Sequence, residues 1–167
     1  MAEITSETEF VQLINRHQGI IHKVCGMYCH DRDDKKDLFQ EVILQLWKSF
    51  DSFRGESKVT TWIYRVALNT AISAFRKESK KPAQTDILEL KIQIPEDTEF
   101  QDKNEQFQLL YKAIKQLSEI ERAIIMLYLD DHPYEEIAQM IGITANNARV
   151  RMNRIREKLR TMINVED

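Results

Sequence analysis

Apolar residues recur at spacings of three and four along most of this 167-residue sequence. Near its start they follow a Ser6-x-x-Glu9 capping box and stand at Phe10, Leu13, Ile14, Ile21, Val24, Cys25 and Tyr28. This spacing predicts an amphipathic helix over about residues 7–30. Because the whole chain has only 4 glycines and 3 prolines, it also lacks the turn residues of a β sandwich or barrel. We therefore expect an all-α protein.

Short polar breaks divide the first half of the chain into three helices. Asp31-Arg32-Asp33-Asp34 offers N-terminal caps for a second helix, which continues to about Phe50. Residues 51–58 contain Gly55 and indicate a loop. A third helix is predicted from Trp62 to about residue 80, with Thr60 or Thr61 as its cap.

An acidic segment follows these helices. Residues 83–105 carry seven acidic residues and two lysines, which gives a net charge of −5. The alternation of Leu90, Ile92 and Ile94 would fit a short strand, but an isolated strand has no partner in this sequence. We predict two small helical domains, residues 1–82 and 106–167, joined by an acidic linker over residues 83–105.

Residues 134–159 are typical of a helix-turn-helix. Pro133 suits the first turn of a short helix, and Gly142 can adopt the left-handed conformation that ends it. Thr144 can then cap the next helix, and Ala138 is small where the two helices would cross. The C-terminal domain is therefore predicted to contain a helix-turn-helix.

The last helix is strongly basic, although the chain as a whole carries −3. Residues 147–160 hold six arginines and lysines against Glu157 alone. On a helical wheel the face opposite the apolar seam presents Asn146, Arg149, Val150, Asn153 and Arg154. Asparagine and arginine read adenine and guanine in the major groove, so this face predicts binding to duplex DNA. Lys158 and Arg160 lie further along and are expected to meet phosphates or solvent. The alternative is that these charges only solvate a terminal helix.

Aromatic and basic residues are interleaved over residues 50–65, around Gly55. Such interleaving suits single-stranded nucleic acid, because bases stack on aromatic rings while cations follow the backbone. Phe53 and Trp62 are the candidate rings, and Arg76 and Lys77 extend the basic strip. The alternative for each ring is a place in the hydrophobic core.

Other functions find little support in the residues. The sequence contains no phosphate-binding loop, nucleophile elbow or His-Glu-x-x-His pattern, so we expect neither an enzyme nor a bound cofactor. His22, Cys25, Cys29 and His30 invite a zinc hypothesis, but one straight helix cannot supply a closed tetrahedral set, and buried thiols are expected instead. Without a secretion signal or an apolar membrane segment, the chain is predicted to be cytoplasmic, with reduced cysteines.

Five motifs make the sequence resemble the bacterial extracytoplasmic-function (ECF) sigma factors. They are Asp37-Leu38-Phe39-Gln40-Glu41-Val42, Phe53-Arg54-Gly55-Glu56-Ser57, Thr61-Trp62-Ile63-Tyr64-Arg65-Val66-Ala67-Leu68-Asn69, Tyr134-Glu135-Glu136-Ile137-Ala138 and Arg149-x-Arg151-x-x-Arg154-x-Arg156. The likeness covers nearly the whole chain. Several ordered motifs at family-like separations are far more specific than a single helix-turn-helix match.

The resemblance implies a protein that binds the RNA polymerase core enzyme and brings it to promoters. The first domain would contact core polymerase at Asp37, Leu38, Gln40, Glu41 and Trp47. It would also bind the melted single strand of the minus-ten element with Phe53, Arg54, Gly55, Ser57, Lys58, Trp62, Arg65, Asn69, Arg76 and Lys77. The second domain would read the minus-thirty-five element as duplex with Tyr134, Glu135, Asn146, Asn147, Arg149, Val150, Asn153 and Arg154. An anti-sigma factor is a further partner that the resemblance suggests.

Two departures from the family pattern bear on base preference rather than on the fold. Asn146-Asn147-Ala148 stands where the family usually has Gly-Thr-Val, and Pro133 stands where it has a Ser or Thr cap. A helix-turn-helix regulator that acts without polymerase is the alternative function, but it would not need the aromatic and basic segment over residues 50–65. A scaffold that binds only protein would not need the basic face of the last helix.

The charge contrast between the acidic linker and the basic last helix suggests one further hypothesis. In the free protein the two domains are expected to fold against each other and hide their DNA-reading faces. Core polymerase would then hold the domains apart.

Overall fold

A computed structural model of the protein describes residues 2–53, 55, 58–79 and 105–165. Within these ranges the chain forms seven helices. They are α1 (Ala2–Tyr28), α2 (Arg32–Phe50), α3 (Val59–Ser79), α4 (Glu105–Lys115), α5 (Glu119–Leu129), α6 (Tyr134–Ile141) and α7 (Ala145–Val165). The prediction of an all-α protein with a C-terminal helix-turn-helix is confirmed. The predicted linker lies almost entirely outside the described residues.

Helices α1 to α3 form the N-terminal unit around a core that includes Ile21, Val42, Leu46, Ile63 and Leu68, all fully buried. Asp31 caps α2 as predicted, since its carboxylate accepts a hydrogen bond from the amide of residue 33. This unit depends on α3, because α1 and α2 both pack against it.

Two predicted helix starts in this unit are wrong. Helix α1 begins at residue 2, so the Ser6-x-x-Glu9 pattern lies inside the helix instead of capping it. Helix α3 begins at Val59, which places Thr61 inside its first turn, where it is buried. In both cases the helix extends further toward the N-terminus than the nearest side-chain cap indicated.

The C-terminal unit follows the local signals of the sequence closely. Ser118 and Glu121 form a capping box at the start of α5. Gly142 ends α6 with φ +90°, and the Thr144 hydroxyl accepts a hydrogen bond from the amide of Asn147 at 3.0 Å. Pro133 is the N-cap residue of α6, one position before the first helical turn. These contacts define the end of α6 and the start of α7, and Ala138 of α6 is buried.

The two units share one continuous core. Helix α3 packs against α6 and α5, and α1 also packs against α5. The buried residues of both units belong to a single hydrophobic cluster that runs from Phe10 to Leu159. None of the helices in the described ranges is long and apolar enough to cross a bilayer.

The conformation of Gly142 makes a paired stability prediction possible. Gly142→Ala should lower the free energy of unfolding by about 1 kcal/mol, because an L-residue resists a positive φ even where its Cβ meets no neighbouring atom. Gly19→Ala in the exposed part of α1 should instead raise it by about 0.5 kcal/mol, because alanine favours the helix. Urea unfolding of both variants tests the pair, and shifts of the same sign would contradict it.

Candidate nucleic-acid and polymerase interfaces

Helix α7 has a buried apolar stripe and an opposite exposed face. We call this exposed face the reading face, because it is predicted to read DNA. The buried residues of α7 are Ala148, Met152, Ile155 and Leu159. The exposed residues include Asn146, Arg149, Val150, Asn153 and Arg154, as the helical wheel predicted, and Asn147, which only the family resemblance implied. Glu135 is exposed at the start of α6, and Tyr134 beside it is half-buried. The structure thus leaves seven of the eight predicted minus-thirty-five residues exposed and Tyr134 half-buried, and their role stays a prediction.

Contacts beneath this face orient two of its residues. The Arg149 guanidinium lies 5.2 Å from the centre of the Tyr134 ring, which packs in turn against Tyr128. Such a cation–π contact favours an extended arginine at the surface. The Asn147 side chain accepts a hydrogen bond from Arg151 Nε at 3.1 Å. A base contact by Asn147 would therefore compete with Arg151.

The second half of α7 is tied to other protein groups. Lys158 Nζ lies 2.6 Å from Glu121 Oε2 on α5, and Arg160 pairs with Glu157 at 3.2 Å. Arg156 donates to the Tyr128 hydroxyl. The expectation that Lys158 and Arg160 meet phosphates or solvent stays a prediction, and in this conformation both side chains pair with carboxylates.

The predicted polymerase contacts fall on an exposed face of α2, with one exception. Asp37, Gln40 and Glu41 are exposed, and Trp47 is 42% exposed. Leu38 is buried in the core and is not available to a partner in this conformation. Leu44 was not among the predicted polymerase contacts. Its side chain is 44% exposed, and it lies at helical spacing between Glu41 and Trp47. Two large exposed apolar side chains flanked by charges are typical of a protein interface.

The two candidate rings of the minus-ten site stack on each other. The rings of Phe53 and Trp62 are 4.7 Å apart at an interplanar angle of 23°. Trp62 is only 8% exposed, and Phe53 is half-buried. The core alternative therefore describes Trp62 in this conformation. Its role as a base platform stays a prediction and requires a rearrangement.

The other predicted minus-ten residues that the structure describes fall into two groups, those paired with carboxylates and those exposed on the surface. Lys58 pairs with Glu136 of α6 at 3.1 Å, and Arg76 pairs with Glu119 of α5 at 2.7 Å. Arg65, Asn69 and Lys77 are exposed along α3, and Gly55 is exposed with φ +74°. Arg54 and Ser57 lie outside the described residues. Two of the predicted DNA contacts are thus held by carboxylates of the C-terminal unit.

The carboxylates that join the two units are stabilised as anions. A hydrogen bond from Arg76 holds the pKa of Glu119 below its ordinary value, and hydrogen bonds from His132 and then Lys58 do the same for Glu136. Burial alone would raise the pKa of Asp130, but the hydrogen bond and charge of Lys23, 2.5 Å away, outweigh it and lower that pKa. These ion pairs therefore add to the hydrophobic contact that joins the two units.

One arginine was missed by every sequence pattern. Arg122 of α5 is 5% exposed, and its Nη1 donates to the Met27 carbonyl of α1 at 2.9 Å. Its Nη2 donates to the Lys115 and Leu117 carbonyls at 2.6 and 3.4 Å. The guanidinium thus binds the carboxyl ends of one helix from each unit, where the helix dipole favours a cation.

The cysteines lie in α1 and just after it. Cys25 is buried and Cys29 is half-buried, and neither is part of a disulfide. Burial, with the charge of Cys29, raises the pKa of Cys25 to about 12, so its thiol stays protonated near neutral pH. Among the described residues no group of three or more histidines, cysteines and carboxylates is placed to hold a metal ion.

Comparison with known protein families covers both halves of the chain. The family model for sigma-70 region 2 matches residues 13–81, and that for sigma-70 region 4 matches residues 107–159. A relative from Haemophilus influenzae named ECF RNA polymerase sigma-E factor is 31% identical over an alignment of 173 residues that covers 92% of this chain and 87% of the relative. The protein of the same name from Escherichia coli K12 is 30% identical over 163 residues, which cover 90% of this chain and 84% of the relative.

Solved structures share the fold. The sigma factor RpoE of Bartonella quintana, in complex with the anti-sigma factor NepR, superposes with a TM-score of 0.63 at 21% identity and covers 96% of this chain and 98% of its own. CnrH, in complex with the cytosolic domain of CnrY, superposes with a TM-score of 0.67 at 18% identity and covers 96% and 91%. The two family matches and the relatives at 30% identity or more confirm the predicted resemblance: the chain belongs to the ECF sigma factors.

Proposed function

We propose that this ECF sigma factor binds RNA polymerase core through α2 and directs initiation at promoters that its two domains read. One observation carries the proposal, namely that the exposed apolar and charged face of α2 and the exposed reading face of α7 lie on different units. A helix-turn-helix regulator that acts alone would need only the second face. The role is that of a non-enzymatic initiation factor, and we place it in the cytoplasm, where free thiols such as Cys25 are stable.

The division of labour follows from the chemistry of each face. Asp37, Glu41, Leu44 and Trp47 on α2 offer charged and apolar groups to the polymerase. Residues 53–58 and α3 bind the melted minus-ten strand, and the α7 face reads the intact minus-thirty-five duplex. An anti-sigma factor is a further proposed partner, supported by the likeness to a sigma factor whose solved structure is a complex with an anti-sigma factor.

The packing of the two units supports part of the masking hypothesis. Lys58 and Arg76, two proposed minus-ten contacts, pair with Glu136 and Glu119 of the C-terminal unit. These carboxylates occupy the positions that DNA phosphates would need. The α7 face is exposed in the same conformation, so packing of the two units does not hide it as the hypothesis expected. We propose that core polymerase separates the units and frees the minus-ten cations.

Transcription in vitro tests the proposed function directly. Purified core polymerase with and without the chain is given a genomic DNA library, and the transcripts are sequenced at their 5′ ends. If the chain acts as a sigma factor, we expect discrete transcription start sites that depend on the chain. These start sites should share upstream sequence elements at two positions. Binding to duplex DNA with no chain-dependent transcripts would favour the regulator instead.

A pair of substitutions in α7 tests the assignment of the reading face. Arg154→Ala should weaken binding to the minus-thirty-five duplex by about 1 to 3 kcal/mol and relax the preference at one base pair, because we propose that the exposed Arg154 reads a base edge. Lys158→Ala should weaken all duplexes alike and by less, because its amine pairs with Glu121. Fluorescence anisotropy with a panel of single-base variants measures both. Equal loss on every sequence for both variants would reject the assignment.

A further inference from the structure

A cavity of about 450 Å³ lies where the N-terminal and C-terminal units meet. Gly26 of α1 and Lys35 of α2 line it on one side, and Tyr111 and Lys115 of α4 and Met126 of α5 line it on the other. Within the described part of the chain, none of the residues proposed above to contact DNA or polymerase belongs to this lining. The cavity therefore has no role in the functions assigned so far.

Three cations line one part of the cavity. They are Lys35, Lys115 and the buried Arg122, and Lys115 Nζ lies 3.1 Å from His30 Nδ1. The pKa of His30 lies below its ordinary value because of burial first and then because of the charges of these three cations. Among the described residues that line the cavity, none is acidic. The positive potential in this part of the cavity favours an anion.

A second, more apolar cavity of about 240 Å³ adjoins the first. The two share the lining residues Lys23, Tyr111, Ile114 and Met126, and the second adds Leu110 and Leu129. Its charged groups, Lys23 and Asp130, form an ion pair with each other. A ligand that extends from the three cations toward the second cavity would thus bury an apolar chain.

Gly26 leaves open space on the α1 side of the cavity. It is half-buried within the helix, and a Cβ at this position would meet no neighbouring atom within 4 Å. Alanine and leucine both favour a helix more than glycine does, so the fold gains nothing from a glycine here. A larger side chain at position 26 can therefore fill the cavity without disturbing the packed core.

Any ligand held in this cavity contacts both units, because Lys35 belongs to the N-terminal unit and Lys115 to the C-terminal unit. A compound that binds only the packed arrangement of the two units stabilises that arrangement by mass action. In the proposed function core polymerase has to separate the same two units. The ligand and the polymerase would then oppose each other.

We propose that this cavity binds a small free amphipathic anion of the medium-chain carboxylate class. Its head group lies at Lys35 and Lys115, beside the charge of Arg122, and its apolar chain lies against Ile114 and Met126. The bound anion holds the two units together and lowers the affinity of the chain for core polymerase. The effect on polymerase rests on the proposed function, whereas binding of the anion does not.

Isothermal titration calorimetry of the full-length chain with octanoate tests the head-group contacts. Octanol, which has the same chain length without the charge, should bind about tenfold more weakly, because the charged hydrogen bonds are lost. Lys35→Gln and Lys115→Gln should each weaken octanoate binding about tenfold for the same reason. The matched controls are Lys36→Gln on α2 and Lys112→Gln on α4, both exposed and outside the cavity lining, which should stay within about twofold of wild type.

Gly26→Leu tests the cavity itself. It should weaken octanoate binding at least about tenfold while circular dichroism shows an intact helical fold, because the new side chain takes the space of the ligand. Gly26→Ala raises helix propensity but fills little space, so its affinity should stay within about threefold of wild type. Equal affinities for octanol and octanoate, equal losses for Lys115→Gln and Lys112→Gln, or wild-type affinity of Gly26→Leu would overturn the site. Phosphatidylglycerol vesicles should not capture the chain in a sedimentation assay, and capture would overturn the assignment to a free anion.

Surface plasmon resonance with immobilised core polymerase tests the opposition. Octanoate at about one hundred times its Kd should lower the affinity of the wild-type chain for core polymerase at least about tenfold. Gly26→Leu should bind core polymerase equally well with and without octanoate. An octanoate-insensitive affinity of the wild-type chain would overturn the proposed effect. Failure of the proposed function is seen separately, because chain-dependent transcripts would then be missing while octanoate still binds the free chain.

Discussion

A Leu44→Asp variant is expected to bind core polymerase about thirtyfold more weakly than the wild-type chain, a loss of about 2 kcal/mol. Leu44 is 44% exposed in the middle of the α2 face, between Glu41 and Trp47. An apolar side chain at the centre of an interface is desolvated on binding, and a carboxylate there would lose its water without gaining a partner. The fold should tolerate the change because Leu44 lies outside the buried core.

Surface plasmon resonance with immobilised core polymerase measures the effect of Leu44→Asp. Leu129→Asp is the matched control, since Leu129 is 52% exposed on α5 of the other unit and receives the same new charge. This control should bind core polymerase within about twofold of wild type. Equal losses for the two variants would show that added negative charge alone weakens binding, and unchanged affinity of Leu44→Asp would place the polymerase contact elsewhere.

The helix-turn-helix could be predicted because its determinants are local. A left-handed Gly142, a Thr144 cap and the Ser118–Glu121 capping box act within a few residues, so one sequence suffices to identify them. The exposed face of α7 was predictable for the same reason, because burial of one helical stripe fixes which residues face outward. Leu44 lies on α2 at the same periodicity but was missed, because the family motif rather than the helical face guided the choice of residues.

The contacts between the two units could not be predicted from the sequence. Arg76 meets Glu119, and Lys58 meets Glu136, across 43 and 78 residues of chain. Each of these side chains alone is compatible with an exposed position on a charged helix. Trp62 shows the same limit, because its aromatic and basic surroundings fit both a core ring and a base platform. Only the packing of Phe53 and Phe50 against it decides which state the free chain adopts.

The buried Arg122 leads to the prediction with the largest effect on stability. Arg122→Leu is expected to lower the free energy of unfolding by about 3 kcal/mol, because it leaves the Met27, Lys115 and Leu117 carbonyls without their charged donor. Leucine would recover part of the apolar packing against Tyr28 and Phe75, whose rings lie 5.5 and 5.2 Å from the guanidinium. Within the described residues Arg122 Nε has no hydrogen-bond partner, so removal of this atom also relieves a cost. The expected value is the net result of these opposed contributions.

Urea unfolding of the full-length chain measures the loss, and Arg160→Leu is the control, because its exposed pair with Glu157 should contribute less than about 1 kcal/mol. Arg122→Lys should be intermediate, since one ammonium keeps the charge but cannot reach all three carbonyls. A change within about 0.5 kcal/mol of zero for Arg122→Leu would mean that the orphaned carbonyls find water instead.

Met27 belongs to α1 and Lys115 to α4, so Arg122→Leu can lower stability in two ways, by separation of the two units or by unfolding within one of them. Limited proteolysis distinguishes the two. If the two units come apart before either unfolds, Arg122→Leu should speed cleavage in the seam while both sets of helices stay protected, and Arg122 then sets how readily core polymerase can part them.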